Sequence, residues 1–280
     1  MMDSGLDLDS ALAQALSAAQ IGREILLDYF GHLTQVEEKE QAGLVSEADL
    51  KSEEAIIKCL LEKFPQHEIM GEEQSFKSSH QGPVLENNQT PIWIIDPLDG
   101  TTNYVHGFHI FCISIGLQVN GEVVVGVIDV PKLDQTYYAV KGRGAFVREV
   151  GGVRNLSVSR RDQLKQALLA TGFIGMSNHA FEEQLRAFSA LLKMSRGVRR
   201  PGAAAYDLCQ VAEGVFDGFW ERNLNPWDTA AGSLLVKEAG GKVSDYWGNP
   251  FSVEMNSILA VNPHLQQAMI EVLSDCHQRQ

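Results

Sequence analysis

The stretch Trp93–Tyr104 reads WIIDPLDGTTNY, and it governs how the rest of the chain is interpreted. Its apolar start is typical of a buried strand, which ends in two aspartates, Asp96 and Asp99. The intervening proline fixes one backbone angle, so both carboxylates and the Leu98 carbonyl can face one small volume. Gly100 lets an anion approach the backbone, where free N–H groups suit phosphate. The stretch therefore predicts a hard-cation site beside a phosphate at a strand end.

A second interpretation of the same letters remains open at this point. Asp-Pro and Asp-Gly are ordinary turn dipeptides, so a strand followed by a polar turn would look much the same. A short motif of this kind is a hypothesis that needs support from elsewhere in the chain.

Three further acidic residues could belong to the same site. Glu72 follows a predicted strand over residues 68–70, where it could join a metal cluster or lie in a solvated acidic turn. Asp228 opens a predicted helix and could point at a metal, or act only as the N-cap. Asp49 likewise begins a helix, as its cap or as an acceptor for a hydroxyl such as that of Thr101.

Composition narrows the class of protein. The chain has 280 residues, a formal net charge of -13 and 44% hydrophobic residues, as expected of a soluble globular protein. Such an acidic balance argues against sequence-independent nucleic-acid binding. The apolar runs are too short to span a membrane, and the first residues lack the pattern of a signal peptide. The cysteines, which show no metal-type spacing, are expected to be reduced in a cytoplasmic protein. They are Cys59, Cys112, Cys209 and Cys276.

Periodicity predicts a mixed α/β chain. We expect helices over residues 7–31, 49–64, 180–193, 203–213 and 228–239, and another from about 263. Strands are expected over residues 68–70, up to 96, then 111–118, 122–130, 135–140, 166–171, 215–221 and 258–261, with a short one after Gly144. Asn120–Gly121 predicts an antiparallel hairpin turn, and charged residues 35–47 an exposed loop or hairpin. A composition change near residues 150–162 is the candidate boundary.

These pieces, in this order, resemble the inositol monophosphatase family. The resemblance is carried by Gly71–Glu73, by WIIDPLDGTTNYVHGF at Trp93–Phe108, and by Trp227–Gly232 followed by Glu238–Gly241. It implies an α/β (α+β) fold, the layered α-β-α-β-α sandwich of the sugar phosphatases. It also implies one domain over residues 1–280, with a metal-site half at 1–150, a second half at 151–280, and a homodimer.

The resemblance also implies the metal ligands. A first metal would be held by Glu72, Asp96, the Leu98 carbonyl and Thr101, and a second by Asp96, Asp99 and Asp228. Glu72 would help to hold a weaker third ion, giving two or three Mg²⁺ per subunit. Oxygen ligands of this kind suit Mg²⁺, and Mn²⁺ could substitute.

Catalysis, as the resemblance implies it, needs no phospho-enzyme. Two cations about 3.5–4 Å apart clamp the ester and activate a water. Asp49, Thr101 and Glu72 would orient and deprotonate this water. Gly100 and Thr101 would offer backbone N–H groups to the phosphate.

Substrate contacts are implied on the other side of the phosphate. Thr102 resembles the inositol-phosphatase branch, because relatives acting on 3′-phosphoadenosine nucleotides or histidinol phosphate tend to carry a basic residue there. Glu221 matches a carboxylate that hydrogen-bonds inositol hydroxyls, although it could also be a surface residue at a strand end. Gly202, Ala203 and Ala204 match a substrate-side turn, in which Ala203 lacks the usual hydroxyl.

Other departures from the family pattern lie in the loop before Asp49. Gly43 stands where relatives often carry an aspartate, and Lys39 is offset by one from the expected lysine. The chain also carries a basic cluster of Arg196, Arg199 and Arg200, which could face a neighbouring subunit, an anion or solvent.

The function expected from these residues is Mg²⁺-dependent hydrolysis of phosphate monoesters, with inositol monophosphate as the substrate. Fructose-1,6-bisphosphate or another metabolite phosphate is the alternative substrate. A protein of the same fold that acts only by binding a partner is the alternative from another class. The expected partner is a small-molecule phosphate ester, without nucleic acid or membrane.

Overall fold

The computed structural model describes residues 6–38, 44–77, 90–173 and 179–278. Its helices are α1 (Leu8–Tyr29), α2 (Glu47–Lys63), α3 (Glu72–Lys77), α4 (Thr101–Val105), α5 (His179–Met194), α6 (Ala204–Ala212), α7 (Pro226–Glu238) and α8 (Gln266–Gln278). Its strands are β1 (Val36–Glu38), β2 (Leu44–Ser46), β3 (Glu68–Gly71), β4 (Ile92–Asp99), β5 (Cys112–Val119), β6 (Glu122–Val130), β7 (Gln135–Val140), β8 (Ala145–Glu149), β9 (Gly152–Asn155), β10 (Leu168–Thr171), β11 (Gly197–Arg199), β12 (Gly218–Arg222), β13 (Lys242–Ser244) and β14 (Ser257–Val261).

The first large sheet has seven strands in the order β3-β4-β5-β6-β7-β8-β9. Strands β3 and β4 are parallel, whereas the other neighbours are antiparallel. Asn120 and Gly121 both have positive φ, 52° and 77°, and connect paired residues Val119 and Glu122. The predicted Asn-Gly turn is therefore present, because two positive φ angles define a type I′ hairpin turn.

The second large sheet has five strands in the order β11-β10-β12-β14-β13. Its first three strands run parallel, and β14 is antiparallel to both β12 and β13. Strands β1 and β2 form a separate antiparallel pair, as expected for the hairpin alternative in residues 35–47.

Helices cover and separate the two sheets. Helices α1 and α2 pack on one face of the seven-stranded sheet, while α6 and α7 lie between the two sheets. Helices α5 and α8 pack with each other over the outer face of the five-stranded sheet. The order of layers is α-β-α-β-α, so the predicted fold is confirmed.

The central position of α7 depends on glycines in the strands beneath it. A Cβ on Gly116 would lie 3.0 Å from Ala230 Cβ, and one on Gly126 would lie 2.9 Å from the Ala231 carbonyl oxygen. The helix backbone therefore lies directly against β5 and β6. This close packing places the start of α7 beside the end of β4.

Predicted and observed elements agree best where they are long. The expected helices and strands are all present with ends shifted by a few residues, whereas α3, α4, β9, β11 and β13 were not predicted. Each of these has six residues or fewer, too short to establish a periodicity.

Lys39 and Gly43 lie outside the described residues. In the described ranges, no helix is long and apolar enough to cross a membrane.

Candidate active site

Strand β4 carries the two aspartates of the central motif. The expectation that the strand ends at Asp96 is wrong, because Asp99 still pairs with Cys112 of β5. The pairing register shifts between Asp96 and Asp99. In a regular strand, residues three apart face opposite sides of the sheet, and a bulge interrupts this alternation. Both aspartates are buried, and the Leu98 N–H donates to Asp96 Oδ1 at 3.0 Å.

Asp228 lies in the first turn of α7. The interpretation of Asp228 as an N-cap is wrong, because the helix begins at Pro226 and Asn225 is its N-cap. Asp228 is the third helical residue, and its Oδ2 accepts the Asn225 N–H at 2.7 Å in a capping box. The hydroxyl of Ser114 on β5 donates to the Trp227 carbonyl at 3.0 Å, which ties the helix start to the sheet.

Asp49 occupies the same position in α2, so the N-cap interpretation is wrong here too. Ser46 is the N-cap, and its N–H and hydroxyl donate to Asp49 Oδ2 at 2.8 and 2.5 Å. Asp49 Oδ1 accepts the hydroxyl of Thr101 at 3.1 Å. One carboxylate thus stabilises the helix start with one oxygen and binds the Thr101 hydroxyl with the other. The hydroxyl-acceptor alternative for Asp49 is therefore observed.

Glu72 is the first residue of α3, directly after β3. The next two backbone N–H groups, of Glu73 and Gln74, donate to Glu53 at 2.8 and 2.9 Å. A Cβ on Gly71 would lie 2.6 Å from Glu53 Oε2, so glycine is needed for this approach. Glu53 therefore positions the backbone beside Glu72. Glu53 was not predicted as a site residue; in the folded chain it is one of the few buried acids of α2.

The two aspartates of β4 interact with Glu72 and Asp228, which are distant from them in sequence. Burial raises the pKa of Asp96 well above its usual range, and the charges of Glu72, Asp99 and Asp228 raise it further. Burial also raises the pKa of Asp228, followed by the charges of Asp99 and Glu72. Asp96 hydrogen-bonds to both Glu72 and Asp228. The structure thus brings the predicted carboxylates together, with Asp96 and Asp99 buried and Glu72 and Asp228 half-buried.

Asp99 has additional hydrogen-bond donors. Burial raises its pKa, whereas the Ala205 N–H at 2.7 Å and the Cys112 thiol at 3.5 Å lower it. The Ala205 donor comes from the start of α6. This contact was not predicted, because nearly every residue has a backbone N–H group and only the fold decides which one meets Asp99.

The donor set fits a divalent cation by its chemistry. Carboxylates and a carbonyl are hard oxygen ligands, and mutual repulsion in a buried site is relieved by positive charge. In the described parts of the chain, no three His, Cys, Asp or Glu side chains already surround one point in the manner of metal ligands. The fit therefore rests on donor type and charge.

The predicted phosphate and substrate turns lie against each other. Gly100, with φ of 91°, caps α4, and a Cβ there would lie 3.3 Å from Ala203 Cβ. The amide of Asn103 donates to the carbonyls of Ile110 and Pro201, at 2.7 and 2.8 Å. Asn103, which the sequence analysis did not assign a role, thereby joins the start of α4 to the turn that leads into α6.

The substrate-side turn lacks a side-chain cap. Gly202 has a φ of 89°, and Ala203 is the N-cap of α6 without a side-chain hydrogen bond. Ala204 begins the helix. The hydroxyl missing at Ala203 is therefore missing both from the turn and from the helix cap.

Glu221 lies on β12 and is only 7% exposed, so the interpretation as a surface residue is wrong. A Cβ on Gly172 would lie 2.2 Å from Glu221 Oε2, so any larger residue there would displace the Glu221 carboxylate. Burial raises the pKa of Glu221 to about 8, with the charges of Asp228 and Asp99 acting in the same direction. Asp207 of α6, which the sequence analysis missed, is buried near it.

Comparisons with known proteins agree with this arrangement. The model of the family described as "Inositol monophosphatase family" matches residues 7–278. The "Fructose-1,6-bisphosphatase/inositol-1-monophosphatase" of Aquifex aeolicus is 39% identical over 95% of this chain and 96% of its own. The "Nus factor SuhB" of Pseudomonas aeruginosa is 38% identical over 92% and 94%, respectively. The solved inositol monophosphatase of Anabaena superposes with a TM-score of 0.80 at 36% identity, covering 96% of this chain and 97% of that one.

Proposed function

The chain belongs to the inositol monophosphatase family, and on that premise we propose that it is a Mg²⁺-dependent phosphatase that hydrolyses inositol monophosphate to inositol and phosphate. The observation that carries the proposal is the cluster of carboxylates in which the buried Asp96 and Asp99 interact with the half-buried Glu72 and Asp228. Clustered carboxylates repel an anionic substrate. Bound cations would neutralise this charge and allow a phosphate to bind at the predicted turn beside them.

The residues assigned to the cations are those that the resemblance to the family implies. Glu72, Asp96, the Leu98 carbonyl and Thr101 would hold one Mg²⁺, and Asp96, Asp99 and Asp228 a second, with a weaker third at Glu72. Mn²⁺ could replace Mg²⁺. When bound, the cations supply charge neutralisation for the phosphate and the leaving oxygen, and they acidify water.

Thr101 and Asp49 form the proposed route for a proton. The Thr101 hydroxyl lies 3.1 Å from Asp49 Oδ1 and 3.1 Å from the Leu98 carbonyl oxygen. A hydroxyl carries one proton, so it donates to one of these two oxygens at a time. The lone pairs of its own oxygen can accept a proton from water. Asp49 Oδ1 then takes the proton from Thr101, with Glu72 helping to orient the water.

The remaining contacts would position the ester. Backbone N–H groups of Gly100 and Thr101 bind the phosphate, and Thr102 and the turn Gly202–Ala204 border the alcohol part. The buried Glu221 carboxylate accepts hydrogen bonds from hydroxyl groups of the substrate. We further propose that the enzyme works as a cytoplasmic homodimer.

Two other functions have specific support. The name of the Aquifex relative includes fructose-1,6-bisphosphatase, so this bisphosphate is the second candidate substrate. The Pseudomonas relative is named a Nus factor, so action through a macromolecular partner is the candidate from another class. Neither requires a change in the carboxylate cluster.

A panel of phosphate esters tests the substrate. Inositol 1-phosphate, fructose 1,6-bisphosphate and a 3′-phosphoadenosine nucleotide are assayed for phosphate release with and without Mg²⁺. The proposal expects Mg²⁺-dependent release, fastest from inositol 1-phosphate. Preference for the bisphosphate would select the second candidate, and preference for the nucleotide would contradict the role given to Thr102.

The Asp99→Asn variant separates catalysis from partner binding. This change keeps the shape of the side chain but removes one charge from the cluster. Loss of turnover together with loss of the cellular role supports the enzyme. A cellular role that persists without turnover would favour the binding protein.

A further inference from the structure

An open cavity of about 540 Å³ lies away from the proposed active site. Its lining residues are Arg161, Gln166, Leu168, Arg196, Arg199 and Val215. Three of these are arginines in a chain whose formal net charge is -13. Such a concentration of positive charge contrasts with the composition of the protein.

The cavity and the active site lie toward opposite ends of the parallel strands. Leu168 begins β10 and pairs with Gly197, which begins β11. Gly218 begins β12 and pairs with the next residue of β10. Glu221 lies near the far end of β12. Three residues of extended strand span roughly 10 Å, so a ligand in the cavity would not overlap a substrate at Glu221.

Arg161 is anchored by a buried acid. Its guanidinium lies 3.1 Å from Asp217, whose side chain is inaccessible to solvent. Asp217 also accepts the Leu168 N–H at 2.7 Å and the Ser159 hydroxyl. Both carboxylate oxygens of Asp217 therefore accept hydrogen bonds from neighbouring groups of the protein.

Arg196 and Arg199 have no such partner. Neither forms a salt bridge with an acidic residue of the described ranges, and both are exposed. The backbone that carries them is held firmly: the Arg196 N–H donates to the Ala167 carbonyl at 2.9 Å, and Arg199 pairs with Ala170. The Arg199 guanidinium donates to the Val198 carbonyl at 3.3 Å. Two guanidinium groups without an acidic partner in the described ranges are thus presented from the edge strand β11 and the residue before it.

We propose that this cavity binds a small anion carrying more than one phosphate group. Planar guanidinium groups donate paired hydrogen bonds that match phosphate oxygens, and Arg is favoured for this over Lys. The charge of three arginines exceeds that of Asp217 by two, which suits a multiply charged anion. The volume lies within the range of small-molecule sites, and Leu168 and Val215 offer apolar contact to an organic part.

Calorimetric titration with inorganic pyrophosphate in metal-free buffer tests the proposal. Without cations, the carboxylate cluster repels anions, so heat of binding reports the arginine cavity and not the catalytic site. The paired change Arg196→Gln and Arg199→Gln should weaken pyrophosphate binding by at least tenfold. Arg160→Gln, an equal change of charge per residue at an exposed arginine outside the cavity, should change it less than twofold.

A second variant keeps all arginines in place. Val215 is 43% exposed, so Val215→Glu should fold while placing a negative charge in the cavity. It should abolish binding with an unchanged melting temperature. Absence of pyrophosphate binding to the unmodified protein, or equal loss in Arg160→Gln, would overturn the proposal.

Titrations with two further ligands test which kind of anion the cavity binds. Titration with ATP, which carries an organic part, should show the same dependence on Arg196 and Arg199. If a short RNA oligonucleotide binds with that dependence while pyrophosphate does not, the surface recognises a nucleic-acid backbone and the small-anion proposal is wrong. Because these titrations contain no phosphatase substrate or cation, their failure leaves the proposed activity unaffected.

Discussion

Thr101 shows how one hydroxyl can serve several groups. It is the first residue of α4, and its hydroxyl contacts both the Asp49 carboxylate and the Leu98 carbonyl. Asp49 in turn accepts the Ser46 N–H in the capping box of α2. A change at Thr101 therefore acts on the proposed chemistry, whereas a change at Asp49 also disrupts this capping box.

The Thr101→Val variant should lower kcat at least a hundredfold, since valine has nearly the same shape but cannot relay a proton. Thr101→Ser retains the hydroxyl and should recover most of the activity. Steady-state kinetics at saturating Mg²⁺ measures both. Equal kcat for the valine variant and the unmodified enzyme would exclude Thr101 from the reaction.

Ala203 offers a stabilising substitution. It is the N-cap of α6 without a side-chain hydrogen bond, and serine in that position typically adds about 1 kcal/mol. Ala203→Ser should therefore raise the free energy of unfolding in urea by about this amount. Ala204→Ser places the hydroxyl one residue inside the helix and should give no gain; a gain of equal size there would contradict the capping explanation.

Packing between α7 and the seven-stranded sheet is the contact on which the position of Asp228 depends. The glycines at 116 and 126 allow the helix backbone to approach β5 and β6. Because Asp228 lies in the first turn of this helix, a shift of α7 moves it relative to Asp96 and Asp99 on β4. The geometry of the site is thus coupled to a packing contact that contains no charged residue.

Gly126→Ala should destabilise the fold by about 1–3 kcal/mol, because its Cβ would lie 2.9 Å from the Ala231 carbonyl oxygen. Activity should fall as well, through the displaced Asp228. Gly151→Ala, where nothing lies within 4 Å of the added Cβ, is the matched control and should change neither quantity. Urea unfolding and phosphate release measure the two effects, and unchanged stability of Gly126→Ala would refute this account of the packing.

Net stability includes the electrostatic cost of burying several acids together. Burial and mutual repulsion raise the pKa values of Asp96 and Asp228, which means that their charged forms are unfavourable in the folded chain. A bound cation reverses this effect, and binding only to the folded state stabilises it by mass action. The protein is therefore expected to be most stable with its cations bound.

Mg²⁺ should raise the melting temperature, by an amount equivalent to about 2.7 kcal/mol at a concentration one hundred times Kd. Asp228→Asn should reduce this increase, since one ligand charge is lost. Glu254→Gln, at an exposed position, should leave it unchanged. Thermal denaturation with and without a chelator measures the shift; equal shifts in all three proteins would contradict the metal assignment.

Acid stability should depend on His67. Burial lowers the pKa of this imidazole, and its Nδ1 has no hydrogen-bond partner within the described residues. As pH falls below 6.5, the usual His value, the unfolded chain takes up a proton that folded His67 resists. Its contribution to the free energy of unfolding is thus complete above that pH and decreases until the lower folded pKa is reached.

Urea unfolding between pH 7 and pH 5 checks this sign. His67→Gln should show a shallower decrease of the unfolding free energy with falling pH than the unmodified protein. His32→Gln, at an exposed histidine for comparison, should retain the full decrease. A slope unchanged by His67→Gln would place the acid sensitivity elsewhere.

The sequence by itself determined the long elements, the Asn-Gly turn, the family and the identity of the acidic residues. These follow from periodicity, turn chemistry and short motifs, which act over a few neighbouring residues. The same local information left an N-cap role open for Asp49 and Asp228, although the N-caps are Ser46 and Asn225, three residues earlier in capping boxes. Short elements such as α3 and β11 were missed because they depend on neighbours in the fold.

Only the tertiary structure decided which groups meet. Glu72, the two aspartates of β4 and Asp228 come together because α7 packs against the sheet. Arg161 is held beside the cavity by Asp217, and Arg196 and Arg199 are brought there by the pairing of β10 with β11. Contacts between distant segments arise from packing and burial, which local sequence patterns do not encode. The acids were therefore predictable as residues, whereas their convergence and the arginine cavity required the folded chain.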